Sequence, residues 1–284
     1  MDMLISKEQY ESLKTTGLDF KKLSEKHLSE EEIEAIGFQT TLSNSPEDHG
    51  SFANYSSFAY WKDSEKKKAS EQAKETIEIL QSWEKLQENE ISLHADYILL
   101  GVNAGSFGMD GKEEETFEHF EMFQIRSVLK EGKVRGIPSP IKYKNALINN
   151  GEEGLFSQKL KGMYMTDFIK GFPTRFGGDI KKNLKLYVKD LHPKKADFEE
   201  FYTKFCQLFG DILENELNLL KNPEAPESYK QTLVIMGKNP KTCVINDFLK
   251  RSELDKKYNI INIPHYSAPV KHTVIVESFK KVFE

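Results

Sequence analysis

Cysteine is nearly missing from this chain: of 284 residues, only Cys206 and Cys243 carry a thiol. Two thiols cannot build a disulfide framework, and Cys206 falls on the apolar side of a helical pattern, which also argues against a zinc site. No stretch approaches the ~20 consecutive apolar residues that a membrane-spanning helix needs. The start, Met1-Asp2-Met3-Leu4-Ile5-Ser6-Lys7-Glu8, lacks the basic region and long apolar core of a signal peptide. The expectation is a cytoplasmic chain that engages no membrane. Positive charge is not in surplus either, since the net charge is −5. That excludes a protein coated in base for nonspecific nucleic-acid binding but leaves room for a local basic groove. Internal repeats and low-complexity tracts are missing, and so is a Gly-rich phosphate loop followed by Lys-Ser or Lys-Thr.

Apolar residues make up 38% of the chain and aromatics 11%, enough for a sizeable core. The organisation changes near residue 92. Before it, Ser29-Glu30-Glu31-Glu32 is a capping-box pattern, and 62–87 is dense in Lys, Glu, Gln and Ala with apolar residues at Ile77, Leu80 and Trp83. Residues 1–91 therefore read as a mostly helical extension. Within it, a turn-rich stretch at 43–51 precedes Phe52, Tyr55, Phe58, Tyr60 and Trp61, an aromatic cluster better read as packing against the main domain than as a base-stacking platform.

Residues 92–284 alternate apolar runs with helical patterns, the signature of a parallel sheet covered on both faces. The runs are 95–100, 163–167, 232–236 and 259–263. Between the second and third, Phe198, Phe201, Tyr202, Phe205, Phe209, Ile212, Leu213 and Leu217 recur at helical spacing and belong to the core. The acidic run 112–115 reads as a solvated loop or helix start. Two runs end in loops of chemical interest, Gly101-Val102-Asn103-Ala104-Gly105-Ser106 and Pro264-His265-Tyr266-Ser267-Ala268-Pro269. Ligands of open parallel sheets bind beyond the carboxyl ends of the strands, so both loops are expected to open onto one crevice.

Four ordered segments carry a resemblance: Gly101-Val102-Asn103-Ala104-Gly105, then Tyr164-Met165-Thr166-Asp167-Phe168-Ile169-Lys170, then the long helix with Cys206 and 213–217 leading into 233–238, and finally His265-Tyr266-Ser267-Ala268-Pro269. Together they resemble the uracil-DNA glycosylase superfamily over roughly residues 92 to 270. The resemblance implies a three-layer α/β/α sandwich with a central four-stranded parallel sheet, hydrolysis of the N-glycosidic bond of a damaged or deaminated base in DNA, and neither metal nor organic cofactor. In such a site the base leaves its stack for a pocket and water replaces it at the sugar carbon. Asn103 would orient the water, and His265 would hydrogen-bond the base oxygen that gains negative charge. Phe107 would stack on the base or else serve the core. Gly101 and Gly105 would let the backbone approach the ligand, and Ser267 would line the pocket. Pro269 and Val270 fall where the family places an apolar wedge that fills the gap in the duplex.

The chain departs from the family pattern at Ala104 and Tyr266, which stand where prolines stiffen the two loops. It departs again at Asp167, which aligns with an asparagine that reads uracil in many members. An ionised carboxylate only accepts hydrogen bonds and would face uracil O4 with like polarity, so it favours an edge that offers donors, such as an exocyclic amine. These departures define the alternative, a noncatalytic protein of the same fold that binds a nucleobase, nucleic acid or protein. An unrelated doubly wound enzyme acting on a phosphorylated ligand lacks the glycine loop it would need.

Overall fold

The computed structural model describes residues 4–18, 20–36, 50–62, 69–105, 119–121, 123–124, 140–174, 180–226, 228–237 and 243–284. Helices α1 (Lys7–Thr15), α2 (Phe20–His27) and α3 (Glu30–Ala35) precede strand β1 (Ser56–Phe58); α4 (Ala69–Leu80) and α5 (Trp83–Glu88) lead into β2 (His94–Gly105). Then come α6 (Ile141–Ile148), β3 (Met163–Thr174), α7 (Ile180–Tyr187), α8 (Lys195–Leu219), β4 (Thr232–Met236), α9 (Val244–Arg251), β5 (Asn259–Ile263) and α10 (His272–Phe283).

The described strands form one five-stranded sheet in the order β1-β3-β2-β4-β5. The four expected runs are its parallel strands, with Ile98 opposite both Tyr164 and Leu233, and Val234 opposite Ile261. The expected strand count is corrected from four to five. Ser56–Phe58, in the segment expected to be mostly helical, pairs antiparallel with β3, Ser57 opposite Met165. A three-residue strand has too little length to show alternation, and its Ser-Ser-Phe composition reads as a turn. Its outer side is held by the 119–124 segment: the Ser57 hydroxyl donates to Phe120 O at 2.8 Å, and Gln124 Nε2 donates to Phe58 O at 3.0 Å. Such cover protects an otherwise open sheet edge.

Side chains alternate strictly across the interior strands. Ile98, Leu100, Tyr164, Phe168, Leu233 and Ile235 face the layer of α8 and α9, while Leu99, Met163, Met165, Val234, Met236 and Ile263 face α6 and α10. The β2-to-β3 connection crosses on the α6 side; β3-to-β4 and β4-to-β5 cross on the other through α8 and α9. Movement one way along the sheet over one face and the other way over the opposite face gives all three crossovers the same hand. The order therefore reverses between β2 and β4, a topological switch point of the kind at which doubly wound sheets bind ligands.

The N-terminal helices pack outside α8. Ser29 and Glu32 close the expected capping box on α3, at 3.2 and 2.7 Å, and Glu32 also meets His192 Nε2 at 2.8 Å. Asp211 on α8 pairs with His27 at 2.9 Å. Within the run expected to be mostly helical, α4 and α5 are separate helices, and the Ser82 hydroxyl caps α5 by accepting from Lys85 N. Ile77 and Leu80 are buried and Trp83 packs partly buried against the core. Phe52, Phe58 and Trp61 of the aromatic cluster are buried too, as packing requires.

A buried polar cluster ties β3 to α8. Glu216 Oε1 accepts from the Tyr164 hydroxyl at 2.7 Å and the Thr166 hydroxyl at 2.9 Å, and its Oε2 lies 2.7 Å from Lys170 Nζ. Lys170 Nζ also donates to Asp167 O at 2.6 Å, and neither charged side chain has any exposed surface. A charge left alone at such depth is strongly destabilising, by ~3–5 kcal/mol when one partner is removed. Lys170→Met should therefore lower the stability measured by urea denaturation by about that amount. Adding Glu216→Gln should recover most of the loss, since the amide oxygen still accepts from Tyr164 and Thr166 without a charge. Wild-type stability in Lys170→Met alone would contradict this account.

Candidate functional site

The four parallel strands do not end together. Gly101 of β2 is level with Asp167 of β3, and Leu100 with Ile235 of β4, so Gly101, Asp167, Met236 and Ile263 form one row across the sheet. Beyond it β4 and β5 stop, whereas β2 and β3 continue as a ribbon to Gly105 and Thr174. This step lies at the switch point and is the floor of the candidate crevice.

Asp167 occupies that floor. Its side chain is 3% exposed, and its carboxyl has no hydrogen-bond partner among the described residues. A β-carbon added to Gly101 would lie 1.9 Å from Asp167 Oδ1 and 3.2 Å from the Met236 methyl. Gly101 is thus glycine because the Asp167 carboxyl fills the space over it. The contact Gly101 makes in the structure is with a protein side chain. Burial pushes the Asp167 carboxyl up to about 7; Lys170 opposes this and Glu216 adds to it. Lys170 belongs to the opposite face of β3, where Glu216 already holds it. On its own face the carboxyl meets Gly101 and the Met236 methyl among the described residues.

His265 stands two residues past Ile263, at the same edge of the sheet. The separation of β3 from β5 is three strand spacings, about 14 Å. Its Nδ1 accepts from Ser267 N at 3.2 Å and lies 2.6 Å from Ser267 Oγ. An accepting Nδ1 leaves the proton of the neutral ring on Nε2. Burial lowers its pKa to about 4, so the ring is neutral at pH 7. Ser267 thus acts through the histidine and is itself exposed.

The loop around His265 is held without a second proline. Tyr143 on α6 donates to Pro264 O at 2.9 Å, Lys142 donates to Ala268 O at 2.8 Å, and Ala268 N donates to His265 O at 2.9 Å. The Tyr266 ring lies edge-on to Tyr143 and 4.0 Å from the His265 ring centre. On the next strand, Gly237 N donates to Ile263 O at 2.8 Å and Asn262 Nδ2 donates to Gly237 O at 2.9 Å, which binds the β4 loop to β5. These anchors were not recognisable in the sequence: Tyr143 and Lys142 lie far from the loop in the chain, and an interior Asn in an edge strand looks like any solvent-facing polar residue.

Of the remaining expected site residues, Asn103 lies on the β2-β3 ribbon level with Ile169, and Gly105 is level with Thr174. Phe107 and the Asn103 side chain lie outside the described residues, as does the acidic run 112–115. Pro269 is exposed and Val270 half-buried against α6 and α10. The fold brings Gly101 and Asp167 into contact and puts His265 at the same sheet edge. Both cysteines are free, Cys206 buried on α8. Among the described residues no cluster of three or more His, Cys, Asp or Glu could hold a metal ion, and no helix is long and apolar enough to cross a membrane.

Comparison with protein-family models, with curated proteins and with solved structures returns no match. The functional reading therefore rests on the residues and their geometry.

Gly101→Ala should force the Asp167 carboxyl out of its seat and cost ~1–3 kcal/mol, the usual range for overpacking a filled interior. An unchanged denaturation midpoint would contradict that contact. The two shifted groups also give stability opposite dependences on pH. Asp167 retains a proton in the folded chain that the unfolded chain releases, so it removes stability as pH rises from about 3.8 to about 7. Across that window the loss is on the order of 4 kcal/mol. His265 refuses a proton when folded, so the stability it supplies is complete above about 6.5 and is lost as pH falls through about 4. Thermal melts from pH 4 to 8 should show Asp167→Asn gaining on wild type as pH rises and His265→Gln gaining as pH falls. Parallel curves for all three proteins would refute both assignments.

Proposed function

We propose that this chain is a monofunctional DNA base-excision glycosylase that hydrolyses the N-glycosidic bond of a damaged or deaminated, uracil-like base in the cytoplasm, with DNA as its partner. The observation that carries the reading is Asp167, a buried carboxyl without a hydrogen-bond partner among the described residues on the floor of a switch-point crevice, with a neutral histidine at the same edge. A buried polar group without a partner is destabilising, and a ligand that supplies the missing hydrogen bond offsets that cost.

In this mechanism the base flips into the crevice, the bond from its nitrogen to the sugar carbon breaks, and water adds to that carbon. Electrons of the broken bond pass into the base and accumulate on a carbonyl oxygen of it, and the proton that the water loses on adding to the sugar carbon neutralises the departed base. His265, with its proton on Nε2, donates a hydrogen bond to that oxygen and need not give up the proton. A neutral donor suits an anionic leaving base because no charged imidazolium has to be kept in a buried place. Asn103 orients the water from the β2-β3 ribbon. Pro269, exposed beside Val270, enters the space the base leaves in the stack. The roles of Asn103 and of the wedge follow from the family resemblance.

The noncatalytic alternative draws on the two prolines replaced by Ala104 and Tyr266. At the second loop, the bonds from Tyr143 and Lys142 and the packing of Tyr266 supply the stiffness that a proline would otherwise give.

Incubation with oligonucleotides carrying uracil and other deaminated bases should release free base. Asn103→Ala and His265→Ala should each slow that release by a factor on the order of 10² or more, as loss of a water-positioning group or an oxyanion donor does. Release at the wild-type rate in both variants would remove the assigned roles. No release from any of these substrates by the wild type would favour the noncatalytic reading.

A further inference from the structure

The geometry points to Asp167 reading its ligand as a neutral carboxylic acid: its O–H donates to a ring carbonyl and its C=O accepts from the adjacent ring N–H, so the crevice takes a cyclic-amide edge and releases it when Asp167 ionises. This inference rests on the crevice being a base pocket, and it adds a substrate class and a pH dependence to that pocket.

Three observations support the neutral form. Asp167 is 3% exposed, and burial disfavours the charged form of its carboxyl. One oxygen fills the space over Gly101 beside the Met236 methyl, and the carboxyl accepts no hydrogen bond from the described residues. The nearest cation, Lys170, is spent on Glu216 Oε2 at 2.7 Å and on the backbone oxygen of Asp167 at 2.6 Å. Among the described residues, two charged groups act on it. β3 contributes Lys170, which lowers the pKa, and α8 contributes Glu216, which raises it, while the facing residues of β2 and β4 are Gly101 and Met236. In the layer over this face, Lys142, Tyr143 and Lys144 direct their polar ends to the backbone oxygens of Ala268, Pro264 and Trp61, and the His265 ring is neutral. Burial dominates, and it places the titration near neutrality.

The chemistry then divides by protonation state. A carboxylic acid carries one donor and one acceptor side by side, the same pair that an asparagine amide presents. It matches the carbonyl and N–H of a 4-oxo pyrimidine such as uracil or a 6-oxo purine such as hypoxanthine. The anion carries acceptors only and confronts the ring carbonyl with like polarity. Asp167 can thus read an oxo base that an ionised aspartate would reject, but only while it holds its proton.

The test is equilibrium binding of uracil and of hypoxanthine, as free bases, to the full chain and to Asp167→Asn from pH 5 up to the pH at which each base itself ionises. Wild-type affinity should be level at low pH and fall about tenfold per pH unit above a midpoint near 7, as release of a single proton demands. Asp167→Asn, whose amide keeps the same donor and acceptor at every pH, should bind at a constant level. A flat wild-type profile, a profile that rises with pH, or no binding of either base by either protein would overturn the inference. Base release at pH 6 from uracil-containing DNA separates the two readings. Release with pH-independent binding removes the acid form and leaves the glycosylase, while pH-gated binding with no release removes the glycosylase and leaves the acid form.

Discussion

The structure turns on one ion pair placed where water does not reach. Glu216 and Lys170 hold α8 to the middle of β3, and the tyrosine and threonine that alternate with Lys170 complete the coordination of the carboxylate. Such a pair is a poor source of net stability compared with apolar packing, but it tolerates very few geometries. It fixes the register of β3 against the long helix, and with it the position of Asp167 on the other face of the same strand. Because Lys170 is engaged by Glu216, the carboxyl on the crevice side has no ion-pair partner among the described residues. One strand thus carries a charge pair on one face and a lone acid, among the described residues, on the other.

That division explains why the two titratable groups of the crevice depart from their ordinary values in opposite senses with respect to stability yet by the same cause. Burial disfavours the charged form of each. Asp167 therefore stays protonated up to about 7 and His265 stays neutral down to about 4.

The parallel core was legible in the sequence because each of its strands is a short apolar run ending in Gly, Asp, Asn or Pro, and because the stripe from Phe198 to Leu217 has an unmistakable helical period. Residues whose meaning depends on partners distant in the chain were not. Lys170 continues the alternation of Tyr164, Thr166 and Phe168, and Glu216 continues that of Phe209, Ile212 and Leu213; each looks misplaced alone, and the two explain each other once the strand and helix are stacked. Ser56–Phe58 is too short to carry a period, and Gly101 gives no sign that its missing side chain makes room for Asp167. His265 and Asp167 were identified from position within a loop and a strand, and the fold puts them at one edge. The contribution of α6 to that edge had no local signature.

The antiparallel edge strand has a consequence for how the molecule comes together. Ser56–Phe58 emerges early in synthesis, yet its partner, Tyr164–Thr166, follows only after the whole of β2 and α6. Loop closure over so long a separation is entropically unfavourable until other contacts have shortened it, which places β1 docking late. Until then β3 presents an unpaired apolar edge bearing Met163, Tyr164 and Met165, a template for another chain's strand. The three residues of β1 and the 119–124 segment behind them thus serve as a closure that keeps a nearly complete sheet from recruiting its neighbours.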